Sequence, residues 1–287
     1  LLTGSEGTLG VITRLTLRLL PRPECVKTLV VLFDEMEKAA EAVSEIIRRG
    51  IIPRTIEYMD NASIRCVEDY LRLGLPAEVE ALLIIEVDGS ESSASREAAA
   101  IRVLCTELGA RQVDTARDPE AAGQLWRARK SISPALYKLA PDKINEDIVV
   151  PRSRIPDMVR KIRALSQRTG LIMVSFGHAG DGNIHFNIML DKKDAAALAK
   201  AEAALNEVFD YTLELGGTLS GEHGVGLSKA PYLHKEVSSP MLSLISANEE
   251  QGIADFDRFI RRELAIESLY VLEPKIDGLS VEVVYED

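Results

Sequence analysis

The stretch Leu171–Leu190, with the sequence LIMVSFGHAGDGNIHFNIML, decides the fold of this chain of 287 residues. Two apolar, β-rich runs flank Gly180-Asp181-Gly182, and glycine and aspartate at that place predict a tight turn. Because so short a connection cannot cross over a sheet, the two runs are predicted to pair as an antiparallel hairpin. Amphipathic patterns over Pro156–Thr169 and Asp194–Leu215, each followed by glycine, predict a helix on either side of the hairpin.

Predicted strands and helices also alternate in the first half of the chain. A strand is predicted over Leu29–Phe33, a helix over Glu35–Arg49, and further strands and helices between residues 54 and 114. Two such rounds predict an α+β fold, with an antiparallel sheet covered by helices on one face and two ferredoxin-like β-α-β rounds. Apolar and polar side chains alternate in residues 1–20, and Pro21-Arg22-Pro23 follows them. This pattern predicts the last strand of a preceding domain.

The composition excludes some classes of function. A net charge of −11 would repel a phosphate backbone, so no nucleic-acid partner is expected for residues 1–237. No apolar run reaches the roughly 20 residues that a membrane-spanning helix needs. The three cysteines lie far apart without a Cys-x-x-Cys pair, which indicates thiols in a reducing compartment such as the cytoplasm. The chain begins without Met, so we expect a longer natural protein, and attachment to the inner membrane through partners stays open.

Three of the four histidines lie in two short glycine-rich loops. His178 and His185 bracket the predicted hairpin turn, which would bring them together at its mouth, and His223 follows Glu222 in a Gly-Glu-His-Gly turn. Two imidazoles and a carboxylate suit a divalent transition metal with an open coordination position, as in catalytic rather than structural sites. Spacing alone leaves open a second interpretation, in which the histidines only form hydrogen bonds within a loop. The fourth histidine, His234, lies outside both loops.

Four segments carry a family resemblance. Leu2–Thr13 (LTGSEGTLGVIT) resembles the end of the FAD-binding domain in FAD-linked oxidases of the glycolate oxidase and D-lactate dehydrogenase family. Three further segments resemble motifs of that family's C-terminal cap domain, in the same order: Trp126–Lys130 (WRARK), Gly177–Asn187 (GHAGDGNIHFN) and Ser220–Tyr232 (SGEHGVGLSKAPY). The resemblance covers residues 1 to about 237.

The resemblance implies a domain order and a metal site. Residues 1–20 would end the FAD-binding domain, and residues 21–237 would form the cap domain, which carries the substrate site. Family members that oxidise D-2-hydroxy acids hold Zn²⁺ or a similar divalent metal on a triad that matches His178, His185 and Glu222. Such a metal would polarise the hydroxyl and carboxylate groups of the substrate and lower the pKa of the hydroxyl group.

The resemblance also implies roles around the substrate. His223 would be the general base that removes the hydroxyl proton, and a further metal ligand or a packing residue is the open alternative. Arg129 and Lys143 would bind the substrate carboxylate, and Asn187 would bind the substrate or orient a ligand. The flavin-contacting loop of the family matches Gly4, Glu6, Gly7 and Gly10.

The expected reaction is the flavin-dependent oxidation of a 2-hydroxy acid, such as glycolate or D-lactate, to the 2-oxo acid. The resemblance implies that the α-hydrogen of the substrate leaves as a hydride to FAD. Because most of an FAD-binding domain is absent from this sequence, the isolated chain is expected to be inactive. The sequence leaves open whether the electron acceptor is a protein or a quinone and whether the chain forms an oligomer.

Residues 238–287 carry a second resemblance. Ser239–Tyr285, which contains Glu273-Pro-Lys-Ile-Asp-Gly278, resembles the start of the adenylation domain of NAD-dependent DNA ligases. In that family the lysine of Lys-x-Asp-Gly takes AMP, so the resemblance makes Lys275 the nucleophile. We interpret the chain as a fusion of two gene fragments, natural or from sequence assembly. Two alternatives to hydroxy acid oxidation stay open: nucleotidyl transfer through the tail, and a fragment without catalytic function.

Overall fold

A seven-stranded antiparallel sheet organises the residues that the computed structural model describes, which are 12–14, 16 and 22–238. Its strands are β1 (Cys25–Phe33), β2 (Thr55–Asp60), β3 (Ala81–Gly89), β4 (Gln112–Thr115), β5 (Asp142–Val149), β6 (Ile172–His178) and β7 (Asn183–Leu190). They lie side by side in the order β4-β1-β3-β2-β6-β7-β5, and neighbours run antiparallel. The predicted antiparallel sheet is therefore confirmed.

Helices connect most of these strands. They are α1 (Met36–Arg48), α2 (Asn61–Leu71), α3 (Glu91–Glu107), α4 (Pro119–Lys130), α5 (Ile132–Ala135), α6 (Ile155–Thr169), α7 (Ala195–Glu214) and α8 (Gly226–Lys229). Short 3₁₀ turns span Leu136–Lys138, Arg152–Arg154 and Ala230–Lys235. Side-chain caps fix several helix starts; at α2, for example, Asp60 accepts a hydrogen bond of 2.8 Å from the backbone N–H of Ser63.

The two predicted ferredoxin-like rounds are both present. Strands β1 to β4, with α1 and α3, form the first round in the order β4-β1-β3-β2. Strands β5 to β7, with α6 and α7, repeat that order, and an isolated bridge between Val149 and Thr218 takes the place of a fourth strand. The rounds share one sheet because β2 pairs with β6, which sets Glu57 directly opposite His178. The seam between the rounds therefore passes through the candidate site.

Helices pack on both faces of the sheet, whereas the sequence predicted them on one face only. One layer contains α1, α3, α6 and α7, which contact one another in the order α3-α1-α6-α7. A smaller layer of α2, α4 and α5 packs on the opposite face, against a buried cluster that includes Leu82, Ile84 and Phe176. Phe176 pairs with His185 across β6 and β7, so the face with the smaller helical layer also carries the candidate site.

Two elements differ from the sequence prediction. The long run after Pro119 breaks into α4 and α5, because Pro134 has no N–H to donate to the carbonyl of Lys130. Strand β5 begins at Asp142, although an apolar strand signal begins only at Ile148. The polar first half of β5 is held by its backbone hydrogen bonds to β7. This tertiary pairing cannot be recognised from the local pattern of apolar residues.

The chain divides into two compact units, Pro21–Glu222 and the pair of segments Leu1–Leu20 and His223–Asp287. The sheet belongs to the first unit. No helix of the described residues is long and apolar enough to cross a membrane. The three cysteines are all unbridged, as predicted. The residues predicted to contact flavin and AMP lie outside the described residues: Gly4, Glu6, Gly7, Gly10 and Lys275.

Candidate metal centre and active site

The hairpin of β6 and β7 brings two histidines together at its mouth. His178 ends β6 and pairs with Asn183, and His185 pairs with Phe176 two positions along. Because positions 176 and 178 lie on the same face of β6, both imidazoles project from one face of the sheet. Their rings lie edge to face, with centroids 5.2 Å apart, and their Nε2 atoms are 3.3 Å apart.

Glu222 completes a triangle with these two nitrogens. Its Oε1 lies 3.5 Å from Nε2 of His178 and 3.4 Å from Nε2 of His185. The structure therefore brings together the three residues that the sequence selected as metal ligands, all within the first compact unit. His185 is buried, whereas the side chain of Glu222 is 51% exposed, so the triangle is reached from the side of Glu222.

A buried aspartate holds the turn that carries Glu222. Asp147 of β5 pairs with His185 and is fully buried, and its Oδ2 accepts a hydrogen bond of 2.5 Å from the backbone N–H of Glu222. Gly221 lies so close that a Cβ there would stand 2.3 Å from Nδ2 of Asn183 and 2.6 Å from Oδ2 of Asp147. The glycine of this turn is thus required by space, because any side chain would push Glu222 away from the histidines.

A second buried carboxylate, Glu57 of β2, lies on the other side of His178. Its Oε1 is 2.6 Å from Nδ1 of His178, and its Oε2 is 2.8 Å from both Nε and Nη2 of Arg129. Only 3% of Glu57 is exposed. Sequence reasoning missed this residue, although a carboxylate between the apolar residues Ile56 and Tyr58 of a strand was a usable signal, since a buried carboxylate needs partners.

The charges around Glu57 determine its protonation state. Burial alone would raise the pKa of Glu57, but the hydrogen bond from His178 and the nearby charge of Arg129 outweigh it, so the pKa lies below the usual range. The pKa of His178 is raised, mainly by its hydrogen bond to Glu57, against the opposing effect of burial. The guanidinium of Arg129 also stacks 4.8 Å from the ring centre of Phe176. Glu57 is therefore a charged carboxylate held between the imidazole of His178 and the guanidinium of Arg129.

Asn187 lies two positions from His185 on the same face of β7 and is fully buried. Neither its amide nitrogen nor its amide oxygen has a hydrogen-bond partner among the described residues. A buried amide is costly to leave without partners, so these two atoms indicate a ligand or an ordered water beside the histidines.

The structure does not bring Lys143 to the triangle. It lies on β5, four residues from Asp147, which corresponds to about 13 Å along a strand. Its Nζ donates to Oγ of Ser133 at 2.6 Å and lies 5.0 Å from the ring centre of Tyr137, and burial lowers its pKa. Lys143 does lie on the same face of the sheet as Asn187 and His185. These side chains form a row along β5 and β7, and Lys143 stands at the end of the row that is far from the triangle.

His223 follows Glu222 directly in the chain but belongs to the second compact unit, beginning the segment that contains α8. It is exposed. Its role as a general base stays a prediction, as do the roles of Arg129, Lys143 and Asn187 toward a substrate.

Comparison with protein families gives two matches. Residues 22–247 match the model described as FAD linked oxidases, C-terminal domain. Residues 230–287 match the model described as NAD-dependent DNA ligase adenylation domain, as the second resemblance predicted.

Among curated proteins, the chain is similar to glycolate oxidase subunits and D-lactate dehydrogenases. It is 40% identical over 247 residues to glycolate oxidase subunit GlcD of Bacillus subtilis, covering 86% of this chain and 53% of the relative. The subunit GlcD of Escherichia coli K12 is 38% identical, with 86% and 50% covered. D-lactate dehydrogenase [cytochrome], mitochondrial, of Arabidopsis thaliana is 31% identical, with 83% and 42% covered. The chain thus spans about half the length of the curated relatives it matches.

Solved structures share the fold at low sequence identity. p-Cresol methylhydroxylase with substrate bound aligns with a TM-score of 0.57 and 12% identity, over 85% of this chain and 51% of the other. Alkyldihydroxyacetonephosphate synthase aligns with a TM-score of 0.53 and 18% identity, over 83% of this chain and 48% of the other. At these identities the likeness extends to the fold alone.

Proposed function

Because this chain belongs to the FAD linked oxidases, through their C-terminal domain, we propose that it supplies the metal-binding and substrate-binding half of a site that oxidises a 2-hydroxy acid. Relatives named glycolate oxidase subunit and D-lactate dehydrogenase support glycolate, D-lactate or a similar acid as the substrate, and the 2-oxo acid as the product. The single observation that carries the proposal is the triangle of His178, His185 and Glu222. The cytoplasmic location, the electron acceptor, the oligomeric state and the inactivity of the isolated chain stay predictions.

The donor set fits a divalent metal such as Zn²⁺. Ligands at the usual Zn–N and Zn–O distances on a tetrahedron stand about 3.3–3.4 Å apart, and the three donor atoms are 3.3, 3.4 and 3.5 Å apart. Two imidazoles and one carboxylate leave a coordination position for a substrate oxygen, as in catalytic sites. His178, His185 and Glu222 would hold the metal, which when bound acts as a Lewis acid on the hydroxyl group.

The substrate carboxylate would be bound by Arg129 and Asn187. Glu57 occupies the Nε and Nη2 edge of Arg129, which leaves the N–H groups of Nη1 for an anion. The unpartnered amide of Asn187 offers both a donor and an acceptor beside His185. Lys143, at the far end of the row, would add positive charge toward a longer substrate rather than a direct contact with a short one.

Oxidation requires that the hydroxyl proton and the α-hydrogen leave in different forms. We assign the proton to His223, since an imidazole can accept it near neutral pH. FAD, the cofactor of the family, supplies the hydride acceptor when bound, and its contacts are assigned to Gly4, Glu6, Gly7 and Gly10. The other residues of the site bind and orient the acid.

Titration of the full chain tests this proposal. After treatment with a chelator, the chain is expected to bind one Zn²⁺ by calorimetry, and D-lactate or glycolate is expected to bind more strongly to the metal-loaded chain. Propanoate, which lacks the 2-hydroxyl group, serves as the matched ligand and should gain less affinity from the metal than the hydroxy acids do. Absence of Zn²⁺ binding, or hydroxy acid binding that ignores the metal, would remove the basis of the proposal.

Nucleotidyl transfer is a second candidate function, favoured by the match of residues 230–287 to the ligase adenylation domain. Lys275 would attack the α-phosphate of NAD, forming a phosphoramide bond to AMP and releasing nicotinamide mononucleotide. Incubation with NAD is then expected to add the mass of one AMP to the wild-type chain and none to a Lys275→Arg chain. An unchanged mass in the wild type would reject this function.

A further inference from the structure

We propose that Glu57 is a positioning residue, which sets the imidazole of His178 and the guanidinium of Arg129 at the same time. The inference rests on the proposed function, because it assigns a task to Glu57 within that same site. Within the described part of the chain, Glu57 is the residue whose two carboxylate oxygens contact these two groups, Oε1 facing His178 at 2.6 Å and Oε2 facing Arg129 at 2.8 Å.

The first task is the choice of the His178 tautomer. A carboxylate can only accept hydrogen bonds, so its contact with Nδ1 requires the imidazole proton to be on Nδ1. In the neutral ring the lone pair then lies on Nε2, which is the atom that faces His185 and Glu222. Carboxylates that hold metal-binding histidines in this way fix both the tautomer and the ring orientation.

The second task is the placement of Arg129. Two of its nitrogens contact the same oxygen of Glu57, and its side chain is only 11% exposed. Without Glu57 the guanidinium would lose the only ion-pair partner that the described residues give it, and it would no longer be held over Phe176. Loss of one carboxylate therefore disturbs both the metal ligand and the proposed anion-binding group.

The position of Glu57 in the fold supports a role beyond a structural ion pair. Glu57 belongs to β2 of the first ferredoxin-like round, whereas His178 and His185 belong to the second round. It stands directly opposite His178 across the β2–β6 seam, where paired side chains are near neighbours. The first round thus contributes a group that orients the site and is not only a scaffold.

Glu57→Gln is the sharpest test because it keeps the size of the side chain. If the amide oxygen stays with Arg129, its NH₂ group faces Nδ1 of His178 and selects the tautomer with the proton on Nε2. The Zn²⁺ affinity of the full chain is expected to fall about 10–100-fold, as for other partners of metal-binding histidines. Nitrogen NMR of the neutral ring in the metal-free chain should show the proton moving from Nδ1 to Nε2.

Glu86→Gln is the matched control. Glu86 is also a buried carboxylate on this face, on the neighbouring strand β3, but it accepts hydrogen bonds from Thr28 and Trp126 and contacts no proposed ligand. Its replacement should leave the Zn²⁺ affinity and the His178 tautomer at their wild-type values. Equal losses in both variants, or no loss in Glu57→Gln, would overturn the proposal.

Two further measurements distinguish a failure of this inference from a folding defect and from a failure of the proposed function. Glu57→Asp keeps the charge but is one methylene shorter, so it should still pair with Arg129 yet lose affinity for Zn²⁺; wild-type affinity in this variant would count against positioning. If the wild-type chain binds no metal, the proposed function fails, whereas the tautomer of His178 still tests Glu57. A wild-type ring with its proton on Nε2 would refute the inference by itself.

Discussion

His185→Ala is expected to weaken Zn²⁺ binding by the full chain more than about 100-fold, because loss of a partner outside the coordination sphere already costs about 10–100-fold. His185 supplies one corner of the donor triangle and is buried, so solvent cannot easily take its place. Its ring also packs 5.3 Å from Phe176, so a lower melting temperature is expected as well. Calorimetric titration with Zn²⁺, at a temperature where circular dichroism shows a folded chain, measures the effect.

His234→Ala provides the control for this prediction. His234 is the histidine outside both glycine-rich loops; it is exposed, and its Nδ1 lies 2.8 Å from the carbonyl of Pro231. The same substitution there should leave Zn²⁺ affinity unchanged. If His185→Ala binds Zn²⁺ as tightly as the wild type does, the metal is held elsewhere, and the donor triangle is only a hydrogen-bonded network.

The hairpin and its helices could be predicted from the sequence because their signals are local. Glycine marks the C-terminal end of α6 and the turn between β6 and β7, and the apolar residues of α6 follow a helical period. The convergence of His178 and His185 then follows from the geometry of a hairpin. Residue type and the glycine-rich loop suggested Glu222 as the third ligand, and the family resemblance supported it, because hairpin geometry alone does not position a turn 37 residues further along the chain.

The carboxylates that support the site could not be predicted in the same way. Glu57 and Asp147 lie on strands far away in sequence, and each meets the site only through strand register: Glu57 opposite His178 and Asp147 opposite His185. A register is set by tertiary packing, and a shift of one residue would turn either carboxylate to the other face. The orientation of the ligands is therefore encoded in the pairing of β2 with β6 and of β5 with β7, rather than in any motif.

Gly182→Ala is expected to destabilise the hairpin that carries both histidines. Gly182 has a φ of +81°, a left-handed conformation that costs an L-residue about 1–2 kcal/mol. A Cβ there would also stand 2.1 Å from the carbonyl oxygen of Val150, which is backbone and cannot rotate away. We expect the total loss to exceed about 2 kcal/mol, seen in urea unfolding as a lower midpoint with an unchanged slope.

Gly180→Ala, in the same turn, separates this strain from a general intolerance of the loop. A Cβ on Gly180 would lie 3.8 Å from Ile56, an ordinary van der Waals contact, and its φ is not in the left-handed region. Its unfolding midpoint should stay within the range of a neutral surface change, about 0.5 kcal/mol. Because His178 directly precedes this turn and His185 is the third residue of the strand that follows it, Gly182→Ala should also weaken Zn²⁺ binding, whereas Gly180→Ala should not. Equal urea midpoints for the two variants would show that the turn relaxes to accept a side chain at position 182. The left-handed conformation of Gly182 would then not be what stabilises the hairpin.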